Sequence, residues 1–211
     1  PGLEMGAQVL DITARFKPDF IIAHLFGRAP SVFIKDLKGK GFPLSKVVGL
    51  VWASSEADII AAGGMGVAEG YNTIQFAGVG KDYPVIRDIE AMYKTQGKTP
   101  PKEMDSTVLY NRGVLVAALH VEALRNAIKA NGGKVPTSEQ VKNGMEAVKG
   151  FTLGGFVPPM EITPADHEGG GWVQIWTVKG GKLVKTKDWF QGFRPVIQKH
   201  LADDAANAKK S

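Results

Sequence analysis

Apolar residues fall into two rhythms along the chain, short unbroken runs and longer stretches at helical spacing, and the two alternate from the start. Val9, Ile12 and Phe16 share one face of a helix predicted over residues 2–16, which Pro18 ends. Asp19 to His24 follows as an apolar run long enough for a buried strand and too short for a helix. After the loop 25–30, Ser31 is placed to cap a helix through Lys38, with Phe33, Ile34 and Leu37 on its inner face and Gly39 and Gly41 as its stop. A second apolar run, Val47 to Val51, ends in Trp52-Ala53-Ser54-Ser55-Glu56. Helix, strand, helix and strand in this order predict an α/β layer with a parallel sheet.

Residues 56–62 read as a short helix before the cluster Gly63-Gly64-Met65-Gly66. That cluster lacks a following Lys-Ser/Thr and does not sit between a strand and a helix, so phosphate-loop and dinucleotide readings fail on context. Glu69 to Gln75 is a third strand, and Pro84 to Thr95 a helix striped by Ile86, Ile89 and Tyr93, with proline tolerated in its first turn. Beyond the break at Gly97 to Pro101, Asp105 or Ser106 caps the longest helix, which ends near Ala130 before Asn131-Gly132-Gly133. Its Leu109, Leu115, Ala118, Leu119, Val121, Leu124 and Ile128 spread over a wide arc, which predicts a core helix. Thr137 to Gln140 is a capping box for a helix through Val148. Later, Trp172 to Val178 and Lys182 to Lys185 form a hairpin about Gly180-Gly181, and the tail from Leu201 is expected to fray or to form a loose terminal helix.

Composition narrows the function classes. A hydrophobic content of 44% is ample for one large or two small domains. The longest apolar runs fall far short of the ~20 residues that span a bilayer. The absence of cysteine excludes disulfides, thiolate nucleophiles and thiolate metal sites. The net charge of +5 is scattered among acidic residues, and the one dense basic stretch, Lys179 to Lys187, lies in the hairpin, so it reads as solvated surface rather than a polyanion site. His24, His120, His167 and His200 lack paired spacing, and neither metal nor cofactor is expected. The chain opens on Pro1 without a secretory signal, from which we expect a piece of something longer.

Candidate chemistry sits at the strand ends. In open parallel sheets ligands bind beyond the carboxyl ends of the strands, where loops and helix N-termini present free N–H groups. Two such ends are visible, His24 to Arg28 and Trp52 to Glu56. Phe26 and Trp52 there are either ligand contacts or ordinary packing beside a sheet.

The stretches FKPDFIIAHLFGRAPSVFIKDLKGKGF, VAEGYNTIQF, YPVIRDIEAMYKTQGKTPPKEMDSTVLYNRGVLVAALHVEALRNA and GGGWVQIWTVKGGKLV, in this order, resemble the C-terminal part of the leucine/isoleucine/valine-binding family of periplasmic solute-binding proteins. The resemblance implies the type I periplasmic-binding-protein fold, an α/β architecture of doubly wound parallel sheets in two lobes, with the first lobe incomplete in this chain. Residues 1–74 would belong to the second lobe, 75–165 to the returning first-lobe segment, and 166–211 to a closing hairpin and tail of the second lobe. It further implies a periplasmic, non-catalytic binder that closes on a small solute and serves the membrane subunits of an ABC importer. An incomplete lobe would keep its missing N-terminal segment bound or swap elements with a second copy.

His24, Phe26 and Gly27, with Trp52, Ala53 and Ser54, match the family's second-lobe ligand loops, and Tyr110 matches a tyrosine that opens the long helix near the cleft, where packing is an equal account. Ala53 falls where branched-chain amino-acid binders carry a glutamate for the ligand ammonium. The resemblance therefore implies a small apolar or aromatic carboxylate, or an amino-acid-like solute if Glu56 bends back to serve. Two alternatives stand beside it: a ligand-sensing regulator on the same fold, and a doubly wound enzyme with His24 or Glu56 as base. The enzyme reading lacks a nucleophile elbow, a His-Glu-x-x-His motif and a phosphate loop.

Overall fold

The computed structural model describes residues 4–208, so the expected helix start at Gly2 lies outside the described residues. Helix α1, Gly6–Leu10, runs on as a π turn over Asp11–Phe16 and ends where Lys17 takes a left-handed conformation ahead of Pro18. The following elements are β1 Ile21–Ala23, α2 Ala29–Gly39, β2 Val47–Gly49, α3 Glu56–Ala61 and β3 Asn72–Gln75. Then come α4 Pro84–Thr95, α5 Thr107–Ala130, α6 Ser138–Met145, the short pair β4 Lys149–Phe151 and β5 Met160–Glu161, the hairpin β6 Trp172–Lys179 and β7 Lys182–Gln191, and α7 Arg194–Ala208.

One five-stranded sheet has the order β1-β2-β3-β6-β7. Its first three strands are parallel and β6 and β7 are antiparallel additions, with Val48 opposite Asn72 and Thr73 opposite Trp176. The Gly180-Gly181 turn takes positive φ at both residues, as a two-residue hairpin requires. Glu69 is not in a strand; its carboxylate accepts from Gly180 N–H and fastens the hairpin tip to the start of the third strand.

The burial pattern explains the layering. Ile21, Val47 and Tyr71 line one face of the sheet and are covered by Val9 of α1, Phe33, Ile34 and Leu37 of α2, and Ile59 of α3. Along the same face toward the strand ends the chemistry turns polar, since Thr73 and Gln75 are both buried there. A second core gathers Ile86 of α4, Met104, Leu115 of α5 and Phe156, with Tyr83 set edge-on to Phe156 at 4.9 Å between ring centres.

Two local expectations are corrected. Ser31 is not the cap of α2; the helix opens earlier with Pro30 in its first turn, and Ser31 Oγ donates to the Arg28 carbonyl. On α5 the buried positions are Val108, Asn111, Arg112, Leu115, Ala123 and Ala127, whereas Leu109, Val116, Val121, Leu124 and Ile128 face outward. The helix is buried on one side and apolar on both. The capping box of α6 is present as expected, with Thr137 and Gln140 exchanging bonds.

Candidate functional site

Strands β1 and β2 end level with each other, Ala23 opposite Gly49, so the loops that follow them leave the sheet side by side. Leu50 N–H donates to Ala23 O at 3.0 Å and holds the second loop against the first. Here the strand expected to reach Val51 stops at Gly49, because the chain folds back in a tight 3-10 turn over Val51–Ala53. The turn is so close that a Cβ on Gly49 would collide with the Ala53 carbonyl oxygen and the Tyr71 hydroxyl. Val51 takes φ of 22°, a conformation that costs a β-branched residue on the order of 1–3 kcal/mol and persists only where its surroundings enforce it.

The turn throws Trp52 outward, 58% exposed, while Ala53 and Ser54 are buried behind it. Phe26 is 68% exposed, and His24 and Gly27 lie open on the neighbouring loop. The structure thus brings His24, Phe26, Gly27 and Trp52 to one edge as surface groups. Ala53 and Ser54 enter as support, Ala53 by accepting from Tyr71 Oη at 2.8 Å and Ser54 by donating to the Val51 carbonyl at 2.6 Å.

What enforces the turn is a side chain that the sequence reading did not single out. Arg112, on α5, donates to Val51 O at 2.6 Å, to Ser54 Oγ at 2.8 Å and to Gln75 Oε1 at 2.9 Å, holding the backbone before Trp52 and a side chain after it. Its guanidinium carbon lies 4.5 Å from the centre of the Phe76 ring. Burial pulls its pKa down to about 10, with Glu56 nearby pushing the other way, so it stays cationic at neutral pH. Its Nε is buried without a partner among the described residues. A signal was available: Val108, Asn111, Arg112 and Leu115 recur at helical spacing, so two polar residues stand on the buried stripe of an apolar helix.

Glu56, the sequence candidate for a base or ammonium partner, is committed elsewhere. Its carboxylate accepts from Thr107 Oγ1 at 2.7 Å and from Val108 N–H at 3.1 Å, so a residue of α3 caps the N-terminus of α5. Neither local candidate serves there: Asp105 pairs with Lys81, and the Ser106 hydroxyl makes no hydrogen bond. Asn111 completes the joint by donating to the carbonyls of Gly78 and Gly80 just beyond β3.

Val51, Trp52, Phe76, Leu109, Arg112 and Val116 line a cavity of about 470 Å³ between the Trp52 turn and α5. Its wall is almost wholly carbon. Tyr110 is set apart from it, packed toward the second core, where burial and Tyr93 push its hydroxyl pKa upward. Another cavity, of about 390 Å³, lies farther along α5 and carries His120 and His167 in its wall. His167 Nε2 lies 3.1 Å from Glu146 Oε1, and no cluster of three potential metal ligands occurs among the described residues.

A strand-end site beside a parallel-rich sheet has counterparts among known proteins. The family described as periplasmic binding protein matches residues 3–182. The chain belongs to that family.

Among solved structures, a protein of the Pseudomonas fluorescens group described as an ABC transporter permease superposes with a TM-score of 0.84 at 28% identity, over 100% of this chain and 52% of its own. A branched-chain amino-acid ABC transporter protein from Thermus thermophilus with bound valine gives 0.75 at 24% identity, over 92% and 52%. A solute-binding protein from R. palustris in complex with benzoate gives 0.62 at 21% identity, over 92% and 49%. No curated protein matches the sequence. This periplasmic binding protein chain therefore has the type I fold and spans about half the length of the structures it resembles. The family binds solutes rather than transforming them, and among the described residues no helix is long and apolar enough to cross a membrane.

Proposed function

We propose that this chain is part of a periplasmic, non-catalytic solute-binding component of an ABC importer, taking a small apolar or aromatic carboxylate at the edge formed by His24, Phe26, Gly27 and Trp52. The observation that carries the ligand class is the engagement of Glu56. Both of its oxygens cap α5, and Ala53 supplies no charge, so the carboxylate that follows the Trp52 loop is turned to the helix N-terminus rather than to a ligand ammonium. Burying an ammonium without an anionic partner costs several kcal/mol, on the order that separates a ligand from a non-ligand. The same engagement weighs against Glu56 as the base of an enzyme.

Residues 1–74 and 166–211 act as one lobe in this reading and 75–165 as part of the other, in keeping with the two separate cores. The outward apolar residues of α5 then meet a further segment of polypeptide or a second copy of the chain. The solute is handed from the closed cleft to the membrane subunits.

One structural relative holds valine and another benzoate, so the two ligand classes are tested against each other. Calorimetry of the full-length protein against leucine, isoleucine, valine and a panel of aromatic acids is expected to give binding only with the acids. Submicromolar binding of a branched-chain amino acid with silence from the acids would overturn the ligand class and return Glu56 to the ammonium.

A further inference from the structure

We infer that Arg112 is the specificity-determining cation of this site: its charge, ion-paired with no carboxylate among the described residues and set in an apolar wall beside Trp52 and Phe76, selects anionic solutes over neutral and cationic ones of the same shape. The inference rests on the proposed binding site and adds to it the group that reads the charge of the ligand.

Three observations converge. Arg112 is 7% exposed, and all three of its hydrogen-bond acceptors are neutral: a backbone carbonyl, a serine hydroxyl and a glutamine amide oxygen. No carboxylate among the described residues lies within ion-pair distance of it. Glu56, the acidic group that acts on it, directs both oxygens to the N-terminus of α5. A buried cation in that state is costly to the fold, and an apolar residue of similar volume would serve packing better. Of its five N–H bonds three are used, one per acceptor, which leaves Nε–H and one Nη1–H without a partner.

Arg112 is also the one charged side chain in the wall of the 470 Å³ cavity among the described residues. A solute seated on these apolar side chains displaces water from them and lets the Arg112 field act with less screening, so a carboxylate beside Trp52 gains attraction and an ammonium meets repulsion without either having to touch the guanidinium. The aromatic faces supply the affinity for a flat body, and the cation decides which end group that body carries.

The test measures the full-length protein against three probes of one shape: benzoate, benzamide and benzylamine. The unaltered protein is expected to prefer benzoate over benzamide by roughly tenfold or more and to leave benzylamine unbound. Arg112→Lys, which keeps the charge, should retain that ratio. Arg112→Met should bring it to within about threefold of one. Equal binding of benzoate and benzamide by the unaltered protein would overturn the inference while leaving the site in place, and this reading needs no variant to fold. An undiminished ratio in Arg112→Met would also overturn it, reducing Arg112 to a brace for the Trp52 turn. Failure of all three probes to bind the unaltered protein would remove the site reading itself, and the inference with it.

Discussion

Glu56→Ala tests the joint between α3 and α5 most directly. The carboxylate receives two hydrogen bonds, from Thr107 Oγ1 at 2.7 Å and Val108 N–H at 3.1 Å, at the positive end of a 24-residue helix. A side-chain cap contributes about 1 kcal/mol, and a negative charge at a partly buried helix N-terminus adds about 0.3–1 kcal/mol. Removing the group also leaves Val108 N–H without its acceptor, beside a Ser106 hydroxyl that already lacks one. With the stranded N–H counted at its lower bound of about 1 kcal/mol, the sum is about 2–3 kcal/mol, which for a chain of this size lowers the melting midpoint by roughly 4–12 °C. Glu56→Gln keeps one acceptor oxygen and loses the charge, so it should fall about midway. The assay is a thermal melt followed by circular dichroism, paired with calorimetry on the same samples. A midpoint within about 1 °C of the parent, together with abolished ligand binding, would refute the capping assignment and make Glu56 a ligand group.

Trp52→Ala should abolish the ligand-induced fluorescence change yet move the melting midpoint by no more than about 1–2 °C, because the indole is already 58% exposed; a large fall in midpoint with unaltered affinity would place the side chain in the core. Gly49→Ala should cost more than about 3 kcal/mol or prevent folding, since the methyl meets the Ala53 carbonyl with no room to yield, and a soluble variant with a parental urea midpoint would contradict the packing. Burial raises the Tyr71 pKa well above its ordinary value, so the stabilisation from its neutral form is full below about pH 10 and is lost as pH rises through the folded value; in urea titrations at pH 9 and 11 Tyr71→Phe should show a shallower alkaline decline than the parent.

The parallel layer was legible in the sequence because its signals are local. Runs such as Val47 to Val51, the glycine stops after α2 and the capping box at Thr137 act through neighbours a few residues away. The Trp52 turn was legible only in part, since the side chain that imposes φ of 22° on Val51 stands 61 residues along the chain. The start of α5 misled for the same reason: Asp105 and Ser106 have the right chemistry at the right place, yet a carboxylate from 52 residues earlier takes the Val108 N–H. Spacing along one helix also cannot say which of two apolar sides is covered. On α5 the stripe through Leu109, Val116, Leu124 and Ile128 is as hydrophobic as any core face, and the partner that would decide the matter is not a nearby residue.

The place of the closing hairpin in the sheet sets an order in time. Thr73 of β3 reaches its partner strand across 103 residues, so throughout synthesis the third strand waits with a bare edge while α4, α5 and α6 are made. The strand that fills that edge, β6, lies about a hundred residues along the chain, and contacts of such long range form slowly. A polypeptide emerging from the ribosome thus keeps its sheet unfinished until β6 and β7 arrive.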